Sequence, residues 1–182
     1  MVNSSDAANP DRRDFLKKAC AMGVGAALVL VPVGAGVMVL TDPWRRKAEG
    51  SSKVFVTSLE SLPNDGIPRK FSVVASRVDA WNRFPNAPIG AVYLRRTGEQ
   101  SVQALNVVCP HAGCFVDFKS NTNSFYCPCH NSSFDAGGKI ADKKSPSPRA
   151  MDSLEVEIRN GKEIWVTFQN FQTGRAEKIP VA

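Results

Sequence analysis

Apolar residues follow two rhythms along this 182-residue chain. Ala19 to Leu40 is an uninterrupted stretch without a charge. At about 1.5 Å per residue it makes roughly 33 Å of helix, enough to cross a hydrocarbon core of about 30 Å. Gly23, Gly25, Pro32, Gly34 and Gly36 would weaken it in water but are tolerated in a bilayer, where neighbouring helices satisfy freed backbone groups. A cleavable signal carries an apolar core of only about 7–15 residues, so retention as an anchor is expected. From Lys53 the rhythm changes to short alternating runs split by turn residues. Lys53–Ser58, Lys70–Val78, Ala91–Arg96 and Val102–Val108 predict strands rich in Val, Phe and Tyr. Leu154–Arg159 and Glu163–Phe168 flank Asn160-Gly161, a dipeptide suited to the positive φ angles of a tight hairpin turn. No long 3.6-residue period follows residue 53, so an antiparallel all-β domain behind one helix is expected.

This patterning divides the chain into a cytoplasmic segment (1–18), a transmembrane anchor (19–40), a hinge linker (41–52) and one globular domain (53–182). The twelve linker residues end in Gly50-Ser51-Ser52 and reach at most about 40 Å when extended. Trp44 stands where an interfacial aromatic anchor belongs, and Cys20 reads as a small apolar residue of the span.

Hydrophobic residues make up 43% of the chain and charged residues 22%, as in a globular protein with one apolar segment, and the formal charge is +6. The basic residues are scattered singly and in pairs with no nucleic-acid module, which argues against nucleic-acid binding. A mildly basic surface instead suits anionic lipid or an acidic protein partner. Arg12, Arg13, Lys17 and Lys18 before the span balance Arg45, Arg46 and Lys47 after it, so basic residues alone do not orient it. Asp11-Arg12-Arg13-Asp14-Phe15-Leu16-Lys17 resembles a twin-arginine export signal, with an acidic residue where serine or threonine is usual. That resemblance implies a cytoplasmic amino terminus and an exported domain, carried across already folded.

Four of the five cysteines, Cys109, Cys114, Cys127 and Cys129, cluster with the only two histidines, His111 and His130. Such clustering points to metal, to a disulfide, or to both. A zinc site of two Cys and two His is the bland reading, but Cys-x-His with Cys-x-x-His is an unusual finger spacing. The segments Cys109-Pro110-His111-Ala112-Gly113-Cys114 and Cys127-Pro128-Cys129-His130-Asn131-Ser132 resemble the Rieske family, whose pattern is Cys-x-His-x-Gly-Cys followed by Cys-x-Cys-His-x-Ser. The resemblance implies an all-β Rieske-type antiparallel sandwich with an inserted cluster-binding subdomain. It implies a 2Fe–2S cofactor held by Cys109 and Cys127 on the inner iron and His111 and His130 on the outer iron. It also implies a Cys114–Cys129 disulfide joining the loops, which an exported location permits. Two neutral imidazoles in place of thiolates raise the potential of such a cluster above that of all-cysteine ferredoxins.

Further positions extend the likeness. Ser132 corresponds to a serine that hydrogen-bonds a bridging sulfide. Gly137-Gly138 and Ser145-Pro146-Ser147-Pro148 correspond to the turn and proline loop over the cluster. Phe171-Gln172-Thr173-Gly174 resembles a carboxyl-terminal segment of chloroplast-type Rieske proteins, whereas Ser58–Gly90 is a weak match. Phe134 stands where high-potential members carry a tyrosine, implying a lower potential suited to menaquinone. Ala112 replaces a shielding leucine, implying wider access to the histidines.

The implied activity is that of the Rieske subunit of a quinol–cytochrome c oxidoreductase in a bacterial cytoplasmic membrane, with the cluster domain on the outer side. Its implied partners are a cytochrome b-type subunit, a c-type cytochrome and quinol, menaquinol favoured, within a dimeric complex. His130 and His111 would meet the quinol. The alternative is the small Rieske subunit of an arsenite-oxidase-like molybdoenzyme.

Overall fold

The computed structural model describes residues 10–45, 52–78 and 82–181. It divides into two compact units, Met1–Ala48 and Glu49–Ala182.

The first unit is one helix, α1, Pro10–Arg45. Proline suits the first turn, where its missing N–H had no intrahelical partner. The helix outruns the expected span at both ends. The polar segment Asp11–Lys18 is good helix sequence, and Lys17 lies 3.8 Å from Asp14 one turn earlier. Residues 41–45, expected as linker, continue the helix, and Thr41 Oγ1 donates to the Val37 carbonyl. Residues 46–51 of the expected hinge and the Trp44 side chain lie outside the described residues, and Ser52, the last residue of that hinge, already begins the first strand. The segment Asp11–Asp42 is long and apolar enough to cross a membrane. It is a single-pass anchor.

In the second unit, β1 (Ser52–Ser58), β2 (Arg69–Val78), β3 (Arg83–Gly98), β4 (Ser101–Asn106), β8 (Ser153–Arg159) and β9 (Glu163–Phe168) form one antiparallel sheet in the order β1-β9-β8-β4-β3-β2. The two end strands, β1 and β2, also come together, so the layers close into a near-barrel. Each strand expected from alternation is present. The β8–β9 hairpin turns as Asn-Gly predicts: Asn160 and Gly161 take φ of 52° and 69°, and Lys162 N–H closes the turn on the Arg159 carbonyl. Ile164, Val166 and Phe168 point inward at every second position of β9. Gly90 lets β3 approach the Phe168 ring, since a Cβ there would sit 2.3 Å from Cζ.

Three short strands escape the alternation pattern. β5 (Asp117–Lys119), β6 (Ser124–Cys127) and β7 (Ser132–Asp135) form a second antiparallel sheet in that order. They are only three or four residues long, too short for a period to show. A second core lies between this sheet and the barrel wall. The wall is the β3–β4 pair, whose alternate side chains serve different cores. Val92, Leu94 and Ala104 enter the barrel core with Val73, Ile164 and Val166. Tyr93 and Leu105 face the other way, onto Val116, Phe125 and Phe134. This double duty explains the unbroken apolar run Ala91-Val92-Tyr93-Leu94. The Tyr93 hydroxyl ties wall to subdomain, donating to the Val116 carbonyl at 3.1 Å and accepting Phe118 N–H at 3.2 Å.

Candidate metal centre

The second core ends in the two loops that carry the motif. The first leaves β4 through Val107 and Val108 and returns at Phe115, which bridges to Val108. Within it, Cys109 N–H donates to the Cys114 carbonyl at 2.8 Å, and Gly113 N–H to the Cys109 carbonyl at 3.0 Å. The second loop joins β6 to β7, whose ladder pairs Cys127 with Ser132. There Asn131 N–H donates to the Cys127 carbonyl at 3.0 Å. Both loops thus curl so that the fourth residue after a cysteine donates to that cysteine's carbonyl. Both close on a left-handed residue, Gly113 at φ 83° and Asn131 at 60°. Glycine takes that conformation freely, and asparagine is among the few other residues that tolerate it. The Tyr126 hydroxyl bonds Asn131 Oδ1 and holds the second loop from outside.

Cys114 and Cys129 form a disulfide across the loops, with Cα atoms 6.5 Å apart. Cys109 and Cys127 remain as free, buried thiols. Burial pushes the Cys127 thiol upward and the neighbouring Cys109 adds to this, while hydrogen bonds from the Cys129 and His130 amides oppose it. Among the described residues, the sulfurs of Cys114, Cys127 and Cys129 lie within 4.8 Å of one another. Two of these are bonded to each other, so only Cys127 of the three has a thiolate to give. The His111 and His130 rings meet edge to face, with centroids 4.8 Å apart and planes at 89°. His130 is exposed and His111 half-buried.

This donor set fits an iron–sulfur cluster. Two buried thiols become thiolates only where a cation supplies compensating charge. Two buried polar atoms at the site have no protein partner, His111 Nδ1 and Ser132 Oγ. Buried polar groups in proteins are otherwise almost always satisfied. A nitrogen ligand to iron and a hydroxyl donor to a sulfide are roles these atoms could fill. The two loops thus bring the paired imidazoles, the disulfide and the two buried thiols to one end of the second core.

Three elements pack around this end of the domain. The Gly137-Gly138 turn packs under the site, with Gly138 at φ 84° and an added Cβ only 2.9 Å from Leu105. The proline loop lies along β7, where Ser145 Oγ accepts Ser133 N–H and Ala141 N–H donates to the Ser133 carbonyl. The carboxyl-terminal segment reaches the first loop, where Gly174 N–H donates to the Pro110 carbonyl at 2.8 Å. Sequence reading missed the buried pair Arg149–Asp152, bonded at 2.8 and 2.9 Å. It also missed Asn106, whose Oδ1 accepts Val108 N–H while its Nδ2 holds Gln169 and Asn170. The Arg149–Asp152 and Asn106–Val108 bonds are local in the chain, whereas Gln169 and Asn170 lie more than sixty residues from Asn106.

Comparison with known proteins agrees with this geometry. The family model for the Rieske [2Fe-2S] domain matches residues 53–159. The chain is 31% identical over 157 residues to the menaquinol:cytochrome c reductase iron-sulfur subunit of Geobacillus thermodenitrificans, covering 83% of this chain and 88% of that one. The subunit of the same name from Bacillus subtilis is 30% identical over 156 residues, covering 82% and 87%. The cytochrome b6-f complex iron-sulfur subunit of Trichodesmium erythraeum is 30% identical over 132 residues, covering 70% and 72%. A membrane-anchored head whose second core closes on two cysteine–histidine loops thus belongs to the Rieske family, and its cofactor is the 2Fe–2S cluster of that family.

Proposed function

We propose that this chain is the Rieske subunit of a quinol–cytochrome c oxidoreductase, taking an electron and a proton from quinol and passing the electron to a c-type cytochrome. The observation that carries the reading is the pair of edge-to-face imidazoles, one exposed, on loops clamped by a disulfide. Cys109, His111, Cys127 and His130 would hold the cluster, and the unpartnered Ser132 hydroxyl would be available to donate to it. When bound, the cluster supplies a one-electron acceptor whose potential is raised by its two imidazole ligands.

The chain's own residues do the rest. His130 presents its ring to solvent at the tip, where a quinol hydroxyl can bond its free nitrogen and leave a proton there. His111 stands beside it, more deeply held. Ala112, next to His111 in the first loop, is exposed, and its small side chain leaves the approach open. The helix holds the head at the membrane, where quinol is dissolved, and the hinge lets it reach a second partner. Tethering keeps donor and acceptor at high local concentration without fixing either contact.

The relatives named for menaquinol, together with Phe134 in place of tyrosine, favour menaquinol as the donor. A cytochrome b-type subunit, a c-type cytochrome and a dimeric complex complete the proposed assembly. The likeness of Asp11–Lys17 to a twin-arginine export signal supports a head on the outer face of a bacterial cytoplasmic membrane.

Purifying the tagged full chain from membranes tests this directly. Copurifying b- and c-type haem and a Rieske-type electron paramagnetic resonance signal that moves with a quinol-site inhibitor are the expected results. Molybdenum without haem, or a chain lacking iron and acid-labile sulfide, would overturn it.

A further inference from the structure

The carboxyl-terminal segment touches the first cluster loop through one backbone bond, Gly174 N–H to the Pro110 carbonyl. Pro110 lies between Cys109 and His111, so this bond sets the path of the chain between two ligands. Glycine is needed at 174, which takes φ 71° and whose Cβ position is 3.6 Å from the His111 carbonyl. Thr173 closes over the same loop, its methyl 3.7 Å from the Cβ position of Gly113. Residues 172–175 form no regular element with a neighbouring strand. Gln172 N–H donates to the Ile179 carbonyl at 2.8 Å and Phe171 bridges Pro180, which folds the segment on itself. A side chain from the proline-loop side ties the turn to the rest of the head.

That side chain is Arg149. Its Nε and one terminal nitrogen grip both oxygens of Asp152, and the pair is buried, with 9% and 6% of the side chains exposed. Two of the three remaining N–H donors reach the turn: Nη1 bonds the Arg175 carbonyl at 2.6 Å, and Nη2, already on Asp152, also bonds the Gln172 carbonyl at 3.0 Å. Both sides of Gly174 are thereby pinned to one guanidinium. Arg149 itself is fixed, since Ser147 in the proline loop donates its hydroxyl to the Arg149 carbonyl at 2.7 Å. Asp152 is fixed too, its carbonyl accepting Asn106 N–H at 2.8 Å.

We propose that Arg149 is a positioning residue for the cluster, holding the 172–175 turn so that Gly174 fixes the Pro110–His111 backbone and with it the orientation of the His111 ring. Only arginine offers a planar fork with enough donors to bind a carboxylate at two points and two carbonyls at once. Its charge is cancelled by Asp152, so the effect runs through geometry rather than field. The inference rests on His111 being a ligand.

Removing one partner of a buried ion pair strands the other's charge, whereas replacing both with apolar residues is often neutral for stability. The test is therefore the double variant Arg149→Met/Asp152→Leu, with Arg149→Lys beside it, in the iron-loaded full chain in detergent. Hydrogen exchange and the resonance spectrum of the reduced cluster are the readouts. In the folded double variant the Gly174 amide should exchange at least about tenfold faster, and the line positions should shift with iron content unchanged. Arg149→Lys should keep the thermal midpoint near wild type yet still shift the lines, because an ammonium lacks the fork. Lines and Gly174 exchange identical to wild type in a folded double variant, or full restoration by lysine, would overturn the proposal. A wild-type chain without a Rieske-type spectrum would instead overturn the ligand assignment.

Discussion

The disulfide between the two cluster loops allows a quantitative test. Cys114 and Cys129 are 15 residues apart. Cross-linking a loop of that length removes unfolded-state entropy worth about 3 kcal/mol at 25 °C. The native state contributes little to this figure, because Cys129 is exposed and Cys114 only half-buried, so truncating them uncovers little apolar surface. The perturbation is Cys114→Ala/Cys129→Ala, measured by urea unfolding of the metal-free chain. A loss of about 3 kcal/mol is expected. With a slope of about 1–3 kcal/mol per molar urea, the midpoint falls by roughly 1–3 M. Wild-type protein treated with a thiol reductant should lose the same amount, since the cross-link and not the side chains carries the effect. A loss below about 1 kcal/mol, or a reductant effect much smaller than that of the double variant, would refute the entropic account.

Three further outcomes follow from the packing. Phe134 is fully buried in the core that holds Cys109 and Cys127. If the hydroxyl of Phe134→Tyr bonds a ligand sulfur about 1.4 kcal/mol more strongly in the reduced state, the potential rises by about 59 mV in redox titration; no rise would reject the proposed tuning. Tyr93→Phe strips a partner from the Phe118 amide and the Val116 carbonyl, and denaturant unfolding should show a loss of about 1–3 kcal/mol. Burial pushes the Tyr93 phenol upward, so the stability it links to pH is intact below its unfolded value and is lost as pH rises through the folded one. Glu157 bonds Arg159 and then Lys53, and these bring its carboxyl from 4.5 down to about 2. A depressed carboxylate contributes stability above its unfolded pKa that disappears as pH falls from about 4.5 towards 2. Glu157→Gln should flatten that limb of the acid titration, and high salt should weaken it in wild type, since the pair is exposed.

Several features of this protein are local and were therefore legible in its residues. The uncharged run Ala19–Leu40 needs no partner to declare a helix, because a bilayer asks only for length and apolarity. The Asn160-Gly161 turn is set by which residues accept positive φ. The types and spacing of the cysteines and histidines carried the family likeness, down to the pairing of Cys114 with Cys129 that the structure contains. Tertiary structure alone decided the rest. It made β3 and β4 a wall between two cores, so that Tyr93 and Leu94, adjacent in sequence, serve opposite sides. It formed β5 to β7, whose three or four residues carry no readable period. It brought Gly174 onto Pro110 and Arg149 onto the carbonyls of Gln172 and Arg175. Backbone-directed bonds of this kind depend on where distant segments pass, and a carbonyl looks the same in every residue, so the one-dimensional pattern holds no trace of them.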